Sequence, residues 1–438
     1  MKDYLNDRLQ HLRTYAAAMA KWLVLAGVTG VCCGLVGTAF HLAVEHAIAL
    51  RAAYPWLLYA LPLAGLGIVA MYKLTGIEGQ GTNNVIETVQ NGRPLSPWLL
   101  PAIFASTVLT HLFGGSAGRE GAALQMGGDI GYHVGRLLHF SNHDRRTATM
   151  CGMAAFFSAL FGTPLAATLF AIMVINVGMA FYSAFIPCFA ASLVAYGISL
   201  GLGVAPTRFA VAAPPLTTGM TLRVAVLAVG CALVTVLFCG ALHTAEHQLA
   251  KRLPNAWVRV VAGGCGVVLL TLLIGSQRYN GTGIGVIAQA VEQGQAQPWD
   301  WLLKIVFTAL TLAAGYKGGE VVPSFFIGAT FGCVAGPLLG IPAGFAAAVG
   351  LVAVFCGATN CLIATLFLAV ELFGADGMLY YAVACGLSYV LSGYSGLYSS
   401  QAIFTSKLAS EYYETARRPQ RPENAPETDA EREFAGKF

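Results

Sequence analysis

The stretch HLFGGSAGREGAALQMGG, residues 111–128, holds two chemistries that exclude one another. Gly114-Gly115-Ser116-Ala117-Gly118 fits G-x-S-x-G, the sharp turn that presents a serine nucleophile in many hydrolases, with a histidine such as His111 as its base, although His111 reads better as an ordinary buried or interfacial histidine. Read from Gly118 onward, the same stretch is a glycine-led opening of a helix with one carboxylate, Glu120, at its mouth. A nucleophile elbow needs a strand before the serine and partners placed by an α/β sheet. The preceding run, 98–113, reads as a helical span instead. That favours an ion-holding segment, with an intramembrane serine hydrolase using Ser116 kept as the reading from a different class.

Two other stretches share the second pattern: GTNNVIE from Gly81 to Glu87, and GGEVVPSFF from Gly318 to Phe326. A helix N-terminus carries unpaired N–H groups and roughly half a positive charge, so it favours a negative partner. Pro323 suits a first helical turn, where a missing N–H is no loss. None of the three stretches has a lysine inside its helix. An anion held by partial charges can be let go again, as transport requires.

The composition says where such helix ends lie. Of 438 residues, 56% are hydrophobic and 11% charged, against roughly 25% charged in soluble domains. Apolar runs recur from Trp22 almost to Phe404, several of them near the ~20 residues that a helix needs to cross a bilayer. This predicts an all-α polytopic membrane protein. Spans or part-spans are expected at 22–49, 57–72, 98–113, 122–137, 150–160, 165–179, 181–202, 222–242, 258–275, 301–314, 324–339, 343–355, 363–373, 378–391 and 402–410. Many are too short to cross squarely, and Gly and Pro interrupt them, as at Gly162-Thr163-Pro164. Broken helices that end inside the bilayer are tolerated where they line a cavity or are buried in protein. Eleven cysteines, mostly within apolar runs and without a Cys-x-x-Cys and histidine pattern, read as small buried side chains, not as disulfides or a metal site. The net charge of +4 is too small to suggest a nucleic-acid partner, and no cofactor is expected.

The chain also repeats itself. Ala-Thr-Leu-Phe begins at Ala167 and again at Ala364, and Gly118-Arg119-Glu120 is echoed by Gly318-Gly319-Glu320 at nearly the same separation. Two such halves imply a substrate site at their interface near mid-membrane. The expected organisation is an amphipathic cytoplasmic helix at 1–20, a first transmembrane half at 21–205, a second at 206–412, and a flexible cytoplasmic tail at 413–438. The first twenty residues are polar and run directly into an apolar span, unlike a cleavable signal peptide. Lys2, Arg8, Arg13 and Lys21 before that span argue for a cytoplasmic N-terminus.

In this order, the glycine-led segments resemble the CLC family of anion channels and anion/proton antiporters. Its pattern is G-S-G-I-P, then G-[KR]-E-G-P, then G-x-F-x-P, then a late tyrosine. Here these stand as Gly81-Thr82-Asn83-Asn84-Val85, Gly118-Arg119-Glu120-Gly121-Ala122, Gly319-Glu320-Val321-Val322-Pro323, and Tyr398 in SGLYSSQ. Asn83-Asn84 and Glu320-Val321 depart from the chloride-type pattern and look like the fluoride/proton antiporter branch. Thr82 and Val322 depart from that branch, which has methionine and threonine there.

The resemblance implies two inverted-topology halves and a homodimer in a bacterial inner or plasma membrane, with both termini cytoplasmic. It implies fluoride leaving the cell as protons enter, with a chloride/proton antiporter or a passive channel of the same fold as alternatives. Glu120 is the expected gate and proton carrier, with Glu320 as a second functional carboxylate. Thr82, Asn83, Asn84, Gly118, Gly121, Ala122, Val321, Val322 and Tyr398 are the expected anion-binding set, and Arg119 an anchor of its loop. Glu371 is taken as structural. Chloride/proton antiporters carry an inward-facing glutamate at the end of a helix that resembles Pro164–Ile175. Met173-Val174-Ile175 offers no carboxylate there, which leaves the inner proton route open.

Overall fold

A computed structural model describes residues 2–404 and 407; the predicted tail at 413–438 lies outside the described residues. The first half runs α1 (Lys2–Ala53), α2 (Leu61–Leu74), α3 (Thr82–Asn91), α4 (Leu99–Leu112), α5 (Glu120–Leu137), α6 (Asn142–Phe161), α7 (Pro164–Met173) and α8 (Phe185–Gly201). The second repeats the order with α9 (Thr218–Arg252), α10 (Ala256–Ile274), α11 (Ile284–Glu292), α12 (Asp300–Ala314), α13 (Val321–Leu338), α14 (Ala343–Thr359), α15 (Leu362–Phe373) and α16 (Met378–Leu391). Long first helices, short third helices and a broken seventh recur in both halves. By length and composition, six helical stretches of the described residues can cross a membrane, α9 and α13 among them.

The same local chemistry breaks both halves. Gly162, at φ 69°, ends α6, and Pro164 then starts α7. Asn360, at φ 60°, ends α14 before α15; asparagine is one of the few side chains that tolerates this left-handed geometry. Glu371 on α15 accepts hydrogen bonds from the N–H groups of Leu165 (3.1 Å) and Ala166 (2.9 Å). It therefore caps α7 across the halves, a structural role as expected.

Small residues let these helices touch backbone to backbone. A Cβ on Gly127 would sit 2.3 Å from the Gly152 carbonyl oxygen of α6, and one on Gly328 2.3 Å from that of Gly350 on α14. Close approach of this kind is how helices associate where lipid supplies no hydrophobic drive. Between the halves, five phenylalanines close a ring. Phe157 meets Phe161 (4.8 Å between centroids) and Phe170 (5.4 Å), Phe355 meets Phe170 (5.6 Å) and Phe325 (5.0 Å), and Phe325 meets Phe161 (5.9 Å).

Several expected spans need correction. The run 165–179 stops being helical after Met173, and Asn176–Val177 forms β1, paired in parallel with β2 (Ala402–Ile403). The span expected at 402–410 is thus a strand where it begins; 405–406 and 408–410 lie outside the described residues. α11 is a helix outside the expected spans: nine residues behind a glycine loop are too few to read as a span. The N-terminal amphipathic segment continues into the first span without a break as α1.

Candidate functional site

The three glycine-led segments do begin helices: α3 at Thr82, α5 at Glu120 and α13 at Val321. What brings two of them together is a reciprocal backbone pair. Gly118 N–H donates to Gly319 O, and Gly319 N–H to Gly118 O, both at 2.7 Å. The crossing has no room for side chains. A Cβ on Gly319 would lie 2.3 Å from the Gly121 nitrogen, and one on Gly118 2.6 Å from Glu120 Oε2. Both halves therefore present their first-turn N–H groups, those of Glu120, Gly121 and Ala122 and of Val321 and Val322, beside one another.

This crossing corrects the register of the repeat. Gly118 faces Gly319, so Glu320, the N-cap of α13, occupies the position of Arg119, the N-cap of α5. The counterpart of Glu120 is Val321. Glu320 is a second carboxylate beside the crossing, but not the copy of Glu120 that the tripeptide alignment implied.

Glu120 is fully buried. Its Oε2 accepts the Arg119 N–H at 2.9 Å, and its Oε1 lies 3.6 Å from Arg119 Nε without a hydrogen bond. Arg119 in turn donates from Nη1 to Glu45 on α1 at 3.1 Å, which fixes the loop to the scaffold. Glu320 Oε2 and the Tyr398 hydroxyl are also buried with no hydrogen-bond partner. Tyr398 is within electrostatic reach of both carboxylates, and these are within reach of each other. Leaving a buried polar atom unpaired costs about 1–3 kcal/mol. Glu120 Oε1, Glu320 Oε2, the Tyr398 hydroxyl and Arg119 Nε, all buried without a hydrogen bond, gather near one crossing of helix N-termini.

The remaining expected residues divide into lining and framework. Thr82 is buried, accepts from Gln125 Nε2 at 3.1 Å and donates to Gly121 O at 3.5 Å, which ties α3 to α5. Asn84 Oδ1 accepts the Gly81 N–H at 2.9 Å, so this residue caps its own helix. Asn83 donates to Ser399 Oγ at 3.0 Å and accepts from Ser400 N–H at 3.2 Å. Both ends of that amide hold the turn that carries Tyr398, so Asn83 positions this turn. Ala122, Val321 and Val322 are buried, and the site meets their backbone. Val174, where a carboxylate is missing, gives its carbonyl to Gln401 Nε2 at 2.9 Å.

The hydrolase reading does not survive this geometry. The element before Ser116 is the helix α4. Its hydroxyl is 3.1 Å from Thr308 Oγ1, and the His111 ring bonds through Nδ1 to its own helix at Thr107 O (2.8 Å). Ser116→Ala should leave reconstituted ion flux within about twofold of wild type, as a substitution away from the ion's contacts should. A serine-directed reagent should label neither protein.

Glu45 and Gln125 are not among the residues that the sequence singles out. They act by contacts across long stretches of chain, for which single-sequence motifs carry no signal.

Comparison with known proteins agrees with this architecture. A family model described as "Voltage gated chloride channel" matches residues 64–393. A "Chloride/fluoride channel protein" of Pseudomonas syringae pv. tomato is 37% identical over 398 residues, covering 89% of this chain and 88% of its own. The crystal structure of a CLC-type fluoride/proton antiporter superposes with a TM-score of 0.85 at 34% identity, over 88% of this chain and 98% of that one. A slow cyanobacterial Cl-/H+ antiporter shares the fold with a TM-score of 0.72 at 19% identity, over 85% of this chain and 94% of its own. With its two inverted halves meeting at glycine-led helix ends, this chain is a multi-pass membrane protein of the voltage-gated chloride channel, or CLC, family.

Proposed function

We propose that the protein exports fluoride in exchange for protons along a path gated by Glu120. The observation that carries this reading is the convergence of Glu120 Oε1, Glu320 Oε2 and the Tyr398 hydroxyl, all buried and without a hydrogen bond, on the N-termini of α5 and α13. As a carboxylate, Glu120 competes with the anion for the same N–H groups. Once protonated it loses that attraction and yields the place, so one group couples both ions. Fluoride is small and strongly hydrated. Backbone N–H groups and a phenolic hydroxyl are the donors that can replace its water. The similarity to the fluoride/proton antiporter structure supports fluoride as the cargo.

Contacts and charge support one orientation. Lys21 Nζ pairs with Asp144 at 2.6 Å, so the start of the apolar part of α1 shares a face with the basic α5–α6 turn. α2 follows α1 after a short turn and so runs back toward the face where α1 starts; at its end Lys73 lies over the Trp257 ring at 5.5 Å, beside the α9–α10 turn with Lys251, Arg252 and Arg259. The excess of basic residues supports a cytoplasmic placement of this face. Glu45, roughly 36 Å further along α1 at 1.5 Å per residue, then stands near the outer face. By family resemblance the assembly is a homodimer with one pathway in each subunit, and chain division falls at 205/206.

The test is a flux assay on protein reconstituted in liposomes loaded with fluoride, read by fluoride and pH electrodes together. Fluoride release and proton uptake should start together and stop together, and chloride should support far slower exchange. Fluoride release with no proton movement would establish a channel instead.

A further inference from the structure

The two longest helices of the halves carry one motif that the ion site does not use. Glu45-His46-Ala47-Ile48-Ala49-Leu50-Arg51 near the end of α1 matches Glu246-His247-Gln248-Leu249-Ala250-Lys251-Arg252 at the end of α9 as Glu-His-x-x-Ala-x-Arg. The separation equals that between the starts of α5 and α13, so the two glutamates occupy equivalent places in the inverted halves.

Their surroundings differ in sign. On the outer side, Glu45 meets Arg119, the N-cap of α5, at 3.1 Å: a clamp of opposite charges. On the inner side the N-cap is Glu320, so the equivalent acid faces another acid. Glu246 is exposed and acts electrostatically on both Glu320 and Lys317. Lys317 lies between α9 and α2, its Nζ 4.3 Å from the Tyr72 ring centroid, with Arg259 of α10 also in range. His243 stands three residues before Glu246, on the same face of α9, and its Nε2 is 2.8 Å from the carbonyl of Gly396, two residues before Tyr398. That face of α9 therefore looks onto the inner mouth of the ion site. At this mouth one oxygen of Glu320 is buried and unpaired, while Glu246 reaches water.

We propose that Glu246 is the inner proton-exchange group of the transporter, linking Glu320 to the cytoplasm in place of the carboxylate missing at 173–175. This rests on the antiport reading above. In the inward step the Glu320 carboxyl gives up its proton and the Glu246 carboxylate takes it. Glu246 then releases it to cytoplasmic water, so that only O–H bonds are exchanged. Lys317 offsets the repulsion between the two acids while both are ionised.

The experiment compares wild type, Glu246→Gln and Glu246→Asp as full-length protein in liposomes, with fluoride and pH recorded together. In Glu246→Gln, proton uptake should fall by about tenfold or more, short of the ~10²-fold typical for a positioned acid–base group because Glu246 is exposed and water can partly replace it. Fluoride release should persist, which shows a folded protein with an open path, and Glu246→Asp should restore coupled proton uptake. The proposal is overturned if wild type couples and Glu246→Gln does so at the same rate and ratio. It is equally overturned if Gln and Asp lose fluoride and proton movement together, since that describes a structural residue. A wild type that moves fluoride without protons fails earlier, and takes the antiport reading with it.

Discussion

Glu120→Gln should stop proton movement and leave fluoride release uncoupled from pH. Glutamine keeps the shape of the gate and one oxygen for the Arg119 N–H that now meets Oε2 at 2.9 Å. It cannot carry a proton, and it has no charge with which to compete for the helix ends. Proton uptake should drop by on the order of 10²-fold or more, the range seen when a positioned acid–base group is lost. Arg119 remains held by Glu45, so the loop does not collapse. The measurement is the ratio of proton to fluoride flux under a fluoride gradient. A glutamine variant that kept the wild-type ratio would remove Glu120 from the mechanism.

Much of this site was open to reading because its chemistry is local. Gly118, Glu120 and Pro323 announce helix ends through their own backbone properties, and a lone carboxylate among Gly and Ala in an apolar chain demands a function. The broken helices were visible for the same reason: Gly162-Thr163-Pro164 ends one helix and begins the next by itself. The repeat was visible in Ala-Thr-Leu-Phe but misaligned by one residue at the site. Gly318-Gly319 offers two glycines, and only the backbone pair with Gly118 selects the second. What stayed hidden depends on distant partners. Nothing local to Asn83 announces that Ser399 and Ser400 hold its amide. The five-phenylalanine ring draws on α6, α7, α13 and α14, none of whose sequences specifies the others. β1 and β2 are two residues each and pair across more than half the chain. Their apolar composition reads equally well as the end of a span.

The crossing of the halves makes a second expectation with a large effect, since Gly319→Ala adds one methyl group at its tightest point. The added Cβ would sit 2.3 Å from the Gly121 nitrogen and 3.1 Å from the Glu120 nitrogen. Those neighbours are backbone in the first turn of α5 and cannot swing aside as a side chain can. Relief requires α5 and α13 to separate, which breaks the two 2.7 Å bonds between Gly118 and Gly319. Overpacking of this kind costs about 1–3 kcal/mol. Functionally more serious, the N–H groups of the two helices would no longer converge on one point. A displacement of about 1 Å in positioned groups can cost 10²-fold in rate, and fluoride flux should fall by that order. Gly240→Ala is the matched control: this glycine lies within α9 with nothing near its Cβ position, so alanine should be neutral or slightly stabilising there. Fluoride release and the melting temperature of the detergent-solubilised protein read the two effects separately. If Gly319→Ala transports like Gly240→Ala, the ion does not pass between these helix ends.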